Sequence, residues 1–242
     1  MKRTASASVP RLRQRPLRIA VLGAESTGKT QLAGTLALAL REQGHTSLVI
    51  SEVLREWCDR EGRTPHRHEQ ATIAAEQARR ALSPVDMDCL IADTTPLMTA
   101  VYSELLFGDV SLYPFALAHQ QHYDLTLLTG LDLPWVADGL QRDGPQVREP
   151  VDCLVRAALT RASLPWQVIY GHGPKRLENA LNSINSIAID DPSTLGYGKK
   201  DDENDVAHDH SSGWGSICAC CGDPDCEHRL FTALIRDPSA PG

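Results

Sequence analysis

Apolar residues along this chain follow two rhythms. Leu17–Leu22 (LRIAVL) is a short run of branched side chains bounded by Gly23, which predicts a strand buried on both faces. From Lys29 to Gln43, Leu32, Leu36 and Leu40 recur at four-residue spacing and Gly44 follows. That is the pattern of an amphipathic helix with glycine just past its end. Ser47–Ser51 predicts a second strand, and the polar stretch Thr64–Leu82, with Ile73 among Ala, Gln and Arg, predicts a helix. Asp88–Asp93 reads as a third strand ending on a carboxylate, followed by helices over Thr95–Leu106 and near Phe115–His122. Tyr123–Thr129 and Trp166–Tyr170 predict the last two strands, separated by a polar segment, Asp138–Arg148, and a helix over Val151–Ala162. Lys175–Ile187 predicts a final helix. Strands alternating with helices predict an α/β fold, a mainly parallel five-stranded sheet covered on both faces.

From about Asp190 the rhythm stops. Gly, Asp, Lys, Asn and His dominate the stretch to Gly215, including the acidic run Lys199–Asp205, which reads as a linker that cannot bury enough to pack. Four of the seven cysteines then fall between Cys218 and Cys226, ahead of a short helical stretch, Glu227–Arg236. The expected organisation is a flexible basic tail over 1–16, a main domain over 17–188, a linker over 189–215 and a Cys-rich appendage over 216–242.

The connection between the first strand and first helix carries the chemistry. Gly23-Ala24-Glu25-Ser26-Thr27-Gly28-Lys29-Thr30 matches G-x-x-x-x-G-K-[ST], which arises by chance roughly once in a hundred chains of this length. Glycines let the backbone wrap closely enough for its N–H groups to point at phosphate oxygens. The helix that starts near Lys29 offers its unpaired amides and positive dipole end to the same anion. Lys29 is placed to reach the β- and γ-phosphates of ATP, and the Thr30 hydroxyl to ligate Mg²⁺. A P-loop NTPase fold follows from this loop in its strand–loop–helix setting.

A magnesium shell also needs a carboxylate at a neighbouring strand end. Asp93 is the candidate, and capping the helix that follows is its alternative role. Glu52, at the end of the second strand, could accept the proton of a substrate hydroxyl, or could simply begin a helix and pair with Arg55. Asp138–Arg148 is punctuated by glycine and holds Arg142 and Arg148, which suit a lid that neutralises a transferring phosphoryl group; a solvated loop is the plainer reading. Gly171-His172-Gly173-Pro174 follows the last strand, on the side that commonly lines adenine.

In the tail, Cys218, Cys221, Cys226 and His228 could close a tetrahedron around Zn²⁺, with Gly222–Pro224 supplying the turn. Cys220, His208 and His210 are spare donors, and a reactive thiol tail or redox sensor is the alternative.

Composition narrows the class. With 42% apolar residues, only 5% aromatics and a net charge of −7, the chain expects an aliphatic core and no general affinity for nucleic acid. No apolar run reaches the ~20 residues of a membrane span, and MKRTASASVPRLRQRP has no apolar centre, so a cytoplasmic protein is expected.

With these pieces in order, the chain resembles the P-loop kinase domain of NadR-type proteins, within the NadR-like AAA/ATPase family, which phosphorylate nicotinamide riboside. The likeness covers about Leu17–Ile187. It rests on GAESTGKT (Gly23–Thr30), SEVLREW (Ser51–Trp57), HEQATIAAEQ (His68–Gln77), IADTT (Ile91–Thr95), YDLTLLT (Tyr123–Thr129) and DLPWVADGLQRDGPQVRE (Asp132–Glu149). The resemblance implies ATP and Mg²⁺ binding by Gly23, Gly28, Lys29 and Thr30, makes Asp93 the first acid of a strand-end D-T-D motif, and assigns Glu52, Arg142 and Arg148 to the active site. Two departures stand out. Thr95 occupies the place of the second acid, and with about 16 residues ahead of the first strand, the adenylyltransferase domain that commonly precedes such kinases is expected to be absent. The resemblance implies a small nucleoside-like acceptor, nicotinamide riboside first, and if the second acid binds substrate, Thr95 implies a different one. The alternative is an ATP-dependent switch that docks a protein partner through its cysteine tail.

Overall fold

The computed structural model describes residues 15–83, 85–136 and 145–190, with side chains to 187. Arg142, Cys218, Cys221, Cys226 and His228 lie outside the described residues, as do most of the expected N-terminal tail, the linker and the Cys-rich appendage.

Five strands build the centre: β1 (Leu17–Leu22), β2 (Ser47–Ile50), β3 (Cys89–Asp93), β4 (Leu125–Thr129) and β5 (Gln167–Ile169). Every pairing is parallel and the order is β2-β3-β1-β4-β5, so β1, which feeds the glycine loop, is the middle strand. Among the described residues, seven helices accompany them: α1 (Lys29–Glu42), α2 (Val53–Glu61), α3 (Gln70–Leu82), α4 (Pro96–Phe107), α5 (Tyr113–Gln120), α6 (Arg148–Arg161) and α7 (Gly173–Asp190). Among the described residues, no helix is long and apolar enough to cross a membrane.

The period of two in each strand decides which helix covers which face. On β1, Leu17, Ile19 and Val21 point to one side and join Leu32, Leu36 and Leu40 of α1 and Ala180 and Ile184 of α7. Ala20 and Leu22 point to the other and join Leu97 and Val101 of α4 and Val151, Val155 and Leu159 of α6. Both cores are mainly aliphatic and neither leaves β1 a solvent face, which is why residues 19–22 read as an apolar run with Arg18 the one polar position near its start. Each fully buried Leu or Ile contributes about 1.5–3 kcal/mol.

All five expected strands and every expected helix of this region are present, with ends shifted by a few residues. Two differences are physical. The hydrophobic pattern shows no helix over Val53–Glu61, where the sequence offers only a helix start at Glu52, yet it forms α2; only Val53 and Cys58 of it are buried, too narrow a stripe to show a period, and Gly62 (φ 67°) ends it. The expected helix over Thr64–Leu82 starts later. A 3-10 turn at Arg67–Glu69 precedes α3, because Glu69 reaches back to the His66 N–H (2.7 Å) and is gripped by both Arg63 nitrogens (2.7 Å each). Arg15, within the expected tail, binds both oxygens of Asp124, which also accepts the Arg18 N–H (2.8 Å) and so anchors the start of β1.

Candidate nucleotide site

Gly23 leaves β1 at φ 147°, a conformation open to glycine, and a Cβ built there would clash with the Thr129 hydroxyl. Thr129 ends β4, and its Oγ1 sits 3.0 Å from Leu22 O and 2.7 Å from Thr27 Oγ1. Thr27 Oγ1 in turn donates to Ala24 O (2.7 Å). The loop is thus folded around a buried hydroxyl pair that spans its two ends. Gly28 caps α1 in the left-handed region (φ 75°), and the helix start takes no side-chain cap, the kind of helix N-terminus that suits an anion. Lys29 Nζ donates to Ala24 O (2.8 Å) across the loop, and Thr30 is exposed on the first turn of α1. Ser26 is left-handed (φ 58°), and its Oγ both accepts from Val136 N (2.8 Å) and donates to Val136 O (3.0 Å).

Beside this loop, Asp93 pairs in register with Val21, two residues ahead of Gly23. Its carboxylate is buried, and Oδ1 has no hydrogen-bond partner among the described residues. The helix-cap alternative for Asp93 does not hold: Thr95 is the N-cap of α4, accepting from Leu97 N (3.3 Å). The Thr95 hydroxyl also donates to Gln120 Oε1 (2.7 Å), whose amide donates to Thr126 Oγ1 (3.0 Å). The residue standing where the resemblance has a second acid is therefore a packing element.

Glu52 begins α2 one strand away, where β2 runs beside β3, and Arg55 Nε lies 3.6 Å from its Oε2. The i+3 pairing weighed from sequence exists, and it leaves Glu52 at the same sheet edge as Asp93. Gln77 of α3 holds this edge together: its Oε1 accepts from Val53 N (2.8 Å), and its Nε2 faces Ser51 O (3.4 Å) and Thr94 O (3.5 Å). Arg148 begins α6 rather than closing a loop. It is buried, and Nη2 donates to Leu131 O (3.2 Å) just past β4.

The sequence missed the third wall of the site. The sequence puts Gly171-His172-Gly173-Pro174 on the side that commonly lines adenine; Gly171 (φ 100°) donates its N–H to Asp132 Oδ2 (2.6 Å) and its carbonyl accepts from Arg176 Nη1 (3.0 Å). Arg176 Nη2 donates to Thr27 O (2.8 Å), inside the phosphate loop. Burial pulls the Arg176 guanidinium below its ordinary value, and the Asp132 carboxylate works against that pull. The one sequence signal was a charged residue in the first turn of an otherwise amphipathic helix, which looks like ordinary surface.

Among the described residues, no group of three or more His, Cys, Asp or Glu side chains is placed to hold a metal by itself. The Thr30 hydroxyl and the Asp93 carboxylate are oxygen donors of the kind magnesium takes, and a nucleotide's phosphates would have to supply others.

Comparison with known proteins supports the architecture through the solved structure of NadR. The NadR protein solved in complex with NR superposes with a TM-score of 0.59 at 18% identity, over 78% of this chain and 53% of NadR, so this chain spans about half of NadR's length. Deoxyadenosine kinase from M. mycoides superposes at 0.49 with 13% identity, over 70% of this chain and 99% of that one. Shikimate kinase from Acinetobacter baumannii superposes at 0.38 with 15% identity, over 74% and 96% of the two chains. No curated protein matches the sequence. A family model described as an AAA domain matches residues 18–176, from the start of β1 into the first turn of α7. The chain belongs to that AAA domain family, and it shares its fold with NadR.

Proposed function

We propose that this protein is a kinase that transfers the γ-phosphoryl group of ATP to a hydroxyl of a small nucleoside-like acceptor, with nicotinamide riboside as the leading candidate. The observation that carries the reading is Asp93: a buried carboxylate oxygen without a partner, at a strand end beside the phosphate loop. A buried charge left unsatisfied is costly, and it is retained where a cation completes it.

The residues divide the work. Amides from Gly23 to Thr30 and the Lys29 ammonium bind and orient the phosphates. Thr30 and Asp93 would hold magnesium, which supplies positive charge to the phosphoryl oxygens when bound. Glu52, held by Arg55, is at the right sheet edge to orient the acceptor hydroxyl and take its proton. Arg142 and Arg148 would add positive charge near the transferring group; Arg148 is buried at the head of α6. The NR bound to NadR supports a riboside acceptor by analogy of fold.

One observation favours a second reading. Thr95 is spent on Gln120 and the start of α4, so the second acid of the D-T-D motif has no substitute at its own position. A switch ATPase that needs no acceptor would tolerate that loss. Incubation of the purified protein with Mg-ATP and a panel of nucleosides led by nicotinamide riboside, with products followed by mass, separates the two. A phosphorylated nucleoside, absent with Lys29→Ala, establishes the kinase and names its acceptor. ATP turnover with no phosphorylated acceptor in the panel refutes the kinase in favour of the switch.

A further inference from the structure

Arg176 is an expensive residue where it stands. It is a cation in the first turn of α7, where the helix dipole already presents positive charge, and only 5% of it is exposed. An aliphatic side chain would fill the same space at no electrostatic cost. What Arg176 has instead is a set of partners drawn from three loops of the site. Nη2 donates to Thr27 O in the phosphate loop (2.8 Å), and Nη1 donates to Gly171 O past β5 (3.0 Å). The same Nη1 lies 3.4 Å from Asp132 Oδ1 past β4, and Asp132 closes the ring by accepting from Gly171 N (2.6 Å).

The Thr27 bond is the one with a consequence for ligand. Thr27 O belongs to the peptide whose other polar group is the Gly28 N–H, and in a trans peptide the two point in opposite directions. A guanidinium that pulls the carbonyl from behind the loop therefore turns the Gly28 N–H to the opposite side, toward the concave face where phosphate is gripped. Because the bond is charge-assisted, it also polarises that peptide and makes its N–H a stronger donor. We propose that Arg176 is a positioning residue of the phosphate site, which aims and strengthens the Gly28 amide and locks it to the loops after β4 and β5 through Asp132 and Gly171. This rests on the glycine loop being a polyphosphate site, and it does not need the kinase reading.

The test is binding of ATP and of inorganic tripolyphosphate to the full chain carrying Arg176→Met or Arg176→Lys, with thermal unfolding measured alongside. Arg176→Met is expected to lower the melting temperature, because Asp132, Thr27 O and Gly171 O lose this donor, so affinities are compared at a temperature where the variant is fully folded. It should weaken both ligands about tenfold, the loss of one well-placed charge-assisted hydrogen bond. Equal weakening of tripolyphosphate locates the effect at the phosphates rather than at the base. In ¹⁵N-labelled protein without nucleotide, the Gly28 amide resonance should move, which a purely structural role would not require. Lys reaches one acceptor but lacks the fork, so Arg176→Lys should lie between wild type and Met. A folded Arg176→Met chain that binds both ligands within twofold of wild type overturns the inference. If Arg176→Met fails to fold, Arg176→Lys decides, and tripolyphosphate affinity within twofold of wild type overturns it. ATP binding without phosphorylation of any acceptor would count against the kinase reading alone.

Discussion

Substituting Gly23 by alanine tests the packing of the phosphate loop most directly. The new Cβ would clash with Thr129 Oγ1, and it would also meet Thr27 Oγ1 at 3.0 Å and Thr129 O at 3.2 Å. None of these is the free end of a flexible side chain. Thr129 is fully buried and Thr27 likewise, with their hydroxyls 2.7 Å apart and Thr129 Oγ1 also 3.0 Å from Leu22 O. Overpacking a rigid site costs about 1–3 kcal/mol. The backbone at φ 147° is strained for any L side chain, which adds about 1–2 kcal/mol. Gly23→Ala is therefore expected to lose about 3 kcal/mol, a large share of a typical domain's ~5–15 kcal/mol. Urea unfolding followed by circular dichroism reads the loss as a lower midpoint at unchanged slope. Thr129→Ala removes the clashing oxygen, so adding Gly23→Ala in that background should cost about 1 kcal/mol less than in wild type. A Gly23→Ala chain within about 0.5 kcal/mol of wild type, or a double mutant that is strictly additive, would refute the reasoning.

Three further outcomes follow from the same coordinates. Gly34 lies within α1 with nothing inside 4 Å of its would-be Cβ, so Gly34→Ala should stabilise by about 0.5–1 kcal/mol in the same urea assay. His119 is pushed down to about 4 by burial, with His122 and Arg18 adding to the shift and the Ala78 backbone opposing it. The folded state therefore keeps it neutral where the unfolded chain protonates, and stability should fall by about 3 kcal/mol as pH drops from about 6.5 toward 4. Glu69 and Glu76, held down to about 2 by arginine hydrogen bonds, lose their contribution only at lower pH, and His119→Phe should flatten the slope between 4 and 6.5. Asp93→Asn removes an unpartnered buried charge, so the unliganded protein should melt no lower than wild type. Its stabilisation by ATP should no longer depend on magnesium, as read by thermal shift with and without the metal.

The order of elements and the phosphate loop are determined by local sequence. LRIAVL followed by GAESTGKT fixes a buried strand, a glycine-permitted turn and a helix start, because apolar period, φ > 0 positions and helix nucleation all act within a few residues of chain. The same holds for Asp93, legible as an acid ending an apolar run. What the sequence did not determine are contacts between residues far apart in it. Thr95 rather than Asp93 caps α4, a choice made by the Gln120 side chain that reaches Thr95 from α5. Arg148 is buried because Leu131 O waits for it past β4. Arg176 meets Thr27, 149 residues earlier, only because β4 and β5 stack beside β1 and carry α7 under the phosphate loop. Such bonds depend on strand order and helix placement, and these arise when both apolar faces of one sheet are covered at once, a condition that no local stretch of the chain records.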